Sequence, residues 1–146
     1  MKITTHIFSS LILAIALYPF FHWQAIFILA GGVLIDADHY IWYALKYKKL
    51  SITGCYRHYM SSVESMDFSR HFGIMLIFHT IEFLILVLIF SYFLKPVQAF
   101  AIGLVLHYTL DLIFLYSVPK RLIAEYSIIR WVINGFSKDI NTQIQI

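Results

Sequence analysis

The chain has 146 residues, 60% hydrophobic and 13% charged, with a formal net charge of +3 and one cysteine, Cys55. That is one domain, 1–146, carrying about half the charge of ordinary soluble proteins (roughly 25%), and more apolar surface than a soluble core of this size can bury. A disordered chain, a disulfide scaffold and a nucleic-acid-binding domain are excluded, and a lipid bilayer is the medium that suits the excess.

Four stretches read as membrane spans, at about 3–19, 20–45, 72–94 and 96–118. A transmembrane helix needs about 20 mostly apolar residues. The first stretch is short and follows Lys2, as in a signal peptide, but no small-x-small cleavage site follows it. The second span starts directly after Pro19, so a tight helical hairpin is the better reading. Lys and Arg then set the orientation. Lys2, Lys46, Lys48, Lys49, Arg57, Arg70, Lys120, Arg121, Arg130 and Lys138 fall on one side of a four-span arrangement, and Lys95 alone on the other. By the positive-inside rule both termini and the middle loop, about 46–70, are cytoplasmic. The tail at 119–136 mixes Leu122, Ile123, Tyr126, Ile129, Trp131 and Ile133 with Lys120, Arg121, Glu125 and Arg130, which suits a helix lying in the interface. The expected fold is therefore all-α: a polytopic membrane helical bundle of about four spans plus a C-terminal interfacial helix, multi-pass in the cell membrane and in contact with lipid.

The spans contain His6, Asp36, Asp38, His39, His79, Glu82, His107 and Asp111, and no Lys or Arg. A carboxylate near the centre of a membrane helix costs about 2.5–3.5 kcal/mol on insertion scales, so the set needs partners: protons, each other, or a metal cation. Asp36 and His39 are three apart, His79 and Glu82 three apart, and His107 and Asp111 four apart. On a regular helix each pair shares a face. Three helices thus each offer an imidazole and a carboxylate, the logic of metal sites inside helical bundles. Asp38 lies roughly 200° around the helix from Asp36, so both face inward only where the helix loosens. Gly31 and Gly32 stand just upstream for that purpose. Otherwise Asp38 orients His39. On the four-span topology all these residues fall in one layer on the cytoplasmic side. His22, beside Trp23, reads as an interfacial aromatic-belt residue, His58 and His71 as loop or interfacial residues, and Cys55 as an inert thiol.

The run Gly31-Gly32-Val33-Leu34-Ile35-Asp36-Ala37-Asp38-His39 resembles the G-x-x-x-P-D-x-D-H signature of the inner-membrane metal-dependent hydrolases, with Ile35 in place of the proline. Gly103-Leu104-Val105-Leu106-His107-Tyr108-Thr109-Leu110-Asp111 resembles the family's closing G-x-x-x-H-x-x-x-D element. His6 matches its early histidine and His79 a later one; the H-R-G-x-T-H-S segment common in the family is not evident. The resemblance covers about residues 5–112 and implies a metal-dependent hydrolase.

Taken together, these readings predict one or two divalent ions, Zn²⁺ first with Mn²⁺ or Fe²⁺ as alternatives, held by His6, Asp36, His39, His79, His107 and Asp111. Asp38 or Glu82 would be the general base or an orienting residue. The expected substrate is a phosphoester or lipid-linked molecule at the cytoplasmic interface, with no nucleic-acid partner. Two other classes use the same residues: a non-catalytic regulatory or binding protein with a structural metal, and an ion or proton carrier. A carrier needs polar residues through to the opposite face, and the outer halves of the last two spans are almost wholly apolar.

Overall fold

The computed structural model describes residues 1–65, 75–117 and 127–133. Arg70, His71, Lys120 and Arg121, most of the tail and the start of the third predicted span lie outside them. Among the described residues the structure is helical and contains no strand. In chain order the helices are α1 (Ile3–Phe21), α2 (Ile26–Val33), α3 (Ala37–Tyr47), α4 (Ile52–Ser65), α5 (Ile81–Ser91), α6 (Lys95–Ser117) and α7 (Ile128–Ile133).

Two helical runs are long and apolar enough to cross a membrane, residues Ile3–Tyr47 and Lys95–Tyr116. The first, at 45 residues, would reach roughly 68 Å if straight, about twice the ~30 Å of a bilayer core. It does not run straight. At His22 the backbone takes φ 50° and ψ −133°, its N–H bonds back to Tyr18 O, and a 3-10 turn (His22–Ala25) reverses the chain. α1 and α2 therefore pack antiparallel, with Ser10 against Gly32. The third predicted span departs more. Its described helix, α5, has 11 residues, less than the ~20 that crossing alone requires.

Packing centres on α2 and α6, which run parallel. A Cβ on Gly31 would overlap Phe100 O, and one on Gly103 would overlap Ile28 O, so only glycine lets the two backbones come this close. One apolar cluster joins Ala14, Phe21, Ala25, Ile28 and Ala99 near the His22 turn. A second joins Ile35, Val87, Ala101 and Leu104 and docks α5 onto the other side of α6. The outer surface stays apolar: Ile12, Ile15, Phe20, Ile26, Phe90 and Phe93 are all exposed. Polar side chains gather at the end of the bundle away from His22, where α1 begins, α2 gives way to α3, and α6 runs through its second half.

Candidate metal centre

Between α2 and α3 the helix tightens into a 3-10 turn, Leu34–Asp36, after Val33 leaves helical geometry at φ −128°. This is the local loosening that lets Asp36 and Asp38 face inward together. Asp38 is buried and Asp36 partly so. The turn follows the Gly31–Gly32 pair that α6 presses upon.

His79 departs from its sequence reading. It lies in a 3-10 turn, Ile77–His79, rather than on a helix, because Thr80 adopts an extended backbone (φ −94°, ψ 152°) and caps α5 by accepting from Phe83 N at 3.3 Å. His79 and Glu82 consequently share no helix face. Tyr108 Oη fixes the turn from α6, donating to Phe78 O at 2.6 Å and to Thr80 O at 3.1 Å. Glu82 instead faces α7: its carboxylate accepts from Ser127 Oγ at 2.6 Å, Ile128 N at 3.1 Å and Ile129 N at 3.2 Å. It belongs to none of the clustered ligand groups.

The other named residues converge. His79 Nε2 and His107 Nε2 stand 3.0 Å apart. Asp36 Oδ1 is 3.7 Å from the first and 3.6 Å from the second. Asp111 Oδ2 is 3.7 Å from His79 Nε2 and 3.2 Å from His107 Nε2. His6 Nε2 lies 3.2 Å from Asp111 Oδ1, and its ring stacks on His107 with centroids 4.0 Å apart. His39 Nε2 lies 3.5 Å from Asp36 Oδ1. The Met1 amine, 3.4 Å from Asp111 Oδ1, is the one cation at the cluster among the described residues.

The outward hydrogen bonds of the two central imidazoles settle their tautomers. His107 Nδ1 lies 3.0 Å from Gly32 O, a carbonyl that can only accept, so Nδ1 carries the proton. His79 Nδ1 lies 3.0 Å from Asp38 Oδ2, which also accepts from Phe78 N at 3.1 Å, so again Nδ1 is the donor. Both Nε2 atoms then point lone pairs at one another and at two carboxylate oxygens. With each ring carrying only that one proton, four acceptors face a common centre. Lone pairs converging in this way repel unless a proton or a metal cation stands between them.

The spacing suits one. Bonds of ~2.0–2.1 Å on a tetrahedron place ligand atoms ~3.3 Å apart, and the five separations quoted for these four atoms run from 3.0 to 3.7 Å. Among the described residues, three groups of His and Asp could hold a metal ion: His6, His107 and Asp111; Asp36, His79 and His107; and Asp38, His39 and His79. Asp38 Oδ1 is buried without a hydrogen-bond partner, as is His6 Nδ1, so polar capacity remains here.

Beside the cluster, Tyr59 on α4 covers His39, edge-on with centroids 4.6 Å apart and its hydroxyl donating to His39 O at 3.4 Å. Burial pushes the Tyr59 phenol far above its ordinary range, which keeps that donor protonated. Sequence reasoning placed no residue of the middle loop over the site. Its signal was the Tyr56–Tyr59 stretch, which lacks the His–acid spacing that identified the rest. His58 sits among Tyr43, Tyr47 and Tyr59 rather than in open loop. Cys55 is buried, and burial raises its thiol pKa, which suits an inert residue. Comparison with family models, curated proteins and solved structures finds no match to this chain.

Proposed function

We propose that this chain is a metal-dependent hydrolase of the cell membrane, acting at the cytoplasmic interface on a phosphoester or lipid-linked substrate. The observation that carries the reading is the convergence of His79 Nε2, His107 Nε2, Asp36 Oδ1 and Asp111 Oδ2 on one centre. Its N/O ligands suit Zn²⁺ first, and Mn²⁺ or Fe²⁺ next. A divalent ion bound there supplies a nucleophile at neutral pH and polarises a phosphoryl oxygen.

The protein's own part is positioning. Asp38 and the Gly32 carbonyl hold the two central imidazoles with their lone pairs inward, as outer partners of metal-binding histidines do. His6 and His107 close the deep side, at 1% and 0% exposure, while Asp36 and Asp111 remain 20% and 30% exposed. A substrate therefore approaches from the carboxylate side. Exposed Leu34, Leu112 and Ile113 flank that side with apolar surface for a lipid chain. Lys46, Lys48 and Lys49 stand at the C-terminal end of α3, about two turns from Asp38 and His39, and add positive charge that favours an anionic lipid surface. The four-span topology with cytoplasmic termini belongs to this proposal, supported by the Lys/Arg asymmetry and the exposed apolar surface. Glu82, committed to α7, takes no catalytic role in it.

Protein purified in detergent should cleave phosphoester or fluorescent phospholipid probes when Zn²⁺ or Mn²⁺ is supplied, and should lose that activity on chelation. Asp36→Ala should lose metal and activity together. Metal-loaded protein that is inert across ester, phosphoester and phospholipid probes would replace this reading with a non-catalytic, regulatory metal protein.

A further inference from the structure

The centre offers more ligands than one ion can use. Beyond the four inward atoms, two further imidazoles touch the carboxylates: His6 Nε2 lies 3.2 Å from Asp111 Oδ1, and His39 Nε2 lies 3.5 Å from Asp36 Oδ1. Four imidazoles and two carboxylates exceed the four positions of a tetrahedral N/O site.

They also divide by element. α1 and α6 supply His6, His107 and Asp111, whose ligand atoms lie within 4.8 Å of one another. The α2–α3 junction and the Ile77–His79 turn supply Asp36, His39 and His79, in which Asp36 Oδ1 is 3.5 Å from His39 Nε2 and 3.7 Å from His79 Nε2. The two sets meet where His79 Nε2 and His107 Nε2 face each other at 3.0 Å. Each carboxylate also reaches across the boundary: Asp36 Oδ1 to His107 Nε2 at 3.6 Å, Asp111 Oδ2 to His79 Nε2 at 3.7 Å. Asp111 turns Oδ1 to His6 and Oδ2 to the opposite set, the posture of a carboxylate shared between two ions. With a single ion on the four central atoms, His6 would be a fully buried imidazole with an unpartnered Nδ1 and no ligand role.

We infer that the centre holds two divalent cations, one on His6, His107 and Asp111 and one on Asp36, His39 and His79, with Asp36 and Asp111 lying between them. This rests on the proposed metal reading and adds the number of ions and the division of ligands. Each set gives two imidazoles and one carboxylate of its own, with the other set's carboxylate at the boundary as a shared ligand. Paired ions ~3.5–4 Å apart suit in-line displacement at phosphorus, where attacking and leaving oxygens are held together. The substrate class narrows to phosphoesters.

The test is metal stoichiometry on the full chain in detergent, stripped and reloaded with Mn²⁺ or Zn²⁺, with paramagnetic resonance on the Mn²⁺ form. Wild type should bind two ions per chain and give an exchange-coupled spectrum. His6→Gln and His39→Gln should each bind one ion and give the hyperfine sextet of an isolated Mn²⁺. His39, at 27% exposure, carries the test should the buried His6 variant fail to fold. One ion per chain in wild type with an isolated-ion spectrum overturns the pair and leaves the hydrolase reading standing. No stoichiometric metal in wild type overturns both. Two ions retained in both variants overturns the division of ligands.

Discussion

Asp38 shows how one residue can matter without reaching the centre. Its Oδ2 accepts hydrogen bonds from His79 Nδ1 and from Phe78 N, so it sets both the tautomer and the tilt of that ring. Asp38→Asn keeps the size and removes the charge that makes His79 a stronger ligand. Metal affinity should fall about 10–100-fold, measured by competition with a chromophoric chelator, with little change in unfolding temperature. Glu82→Gln separates the sequence reading from the structural one. If Glu82 serves α7 and not the centre, metal affinity stays unchanged while protease cleavage around 127–133 quickens; lost metal binding would return Glu82 to the site. Two His–acid pairs were legible by spacing alone, since Asp36–His39 and His107–Asp111 do come together. The third pair, His79–Glu82, was not, because Thr80 starts a new helix between its members. Helical periodicity carries no information across a break that a single capping threonine makes.

At the scale of elements, the centre depends on how closely α2 approaches α6. Gly103→Ala would push a methyl group into Ile28 O and part the helices. Its cost should be ~1–3 kcal/mol, read as a lowered unfolding temperature in detergent, and metal affinity should fall with it because His107 loses its register on Gly32 O. Thr80→Ala removes the N-cap of α5 at a cost of about 1 kcal/mol and frees the His79 turn. Metal affinity should then drop by more than that small loss of stability explains, which equilibrium metal titration would show. The apolar runs that became α1, α2 and α6 were plain in the sequence because hydropathy responds directly to composition. The reversal at His22 was less so. Pro19 drew attention, yet it lies inside α1, and the turn is made by a non-glycine residue at positive φ. The 3-10 step at Leu34–Asp36 was legible only as a loosening after Gly31 and Gly32, not as the packing of Gly31 on α6 that the fold shows.

Across the whole molecule, charge and apolar surface point the same way. Reporter fusions after Leu94 should read as external and those after Ser117 as cytoplasmic; the reverse pattern would place the centre at the opposite face and end the case for a cytoplasmic substrate. The ring of His6 rests on that of His107, residues a hundred positions apart in the chain. That contact orders events in time. Ribosomes add roughly 5–20 residues per second, so α1 exists for several seconds before its partner helix is made. Throughout that interval His6 is a lone imidazole on an apolar helix, and no ligand set containing both rings can form. On the two-ion proposal, the ion on His6, His107 and Asp111 loads only after α6 is made, and a chain truncated before His107 should lose that ion while Asp36, His39 and His79 still bind the other.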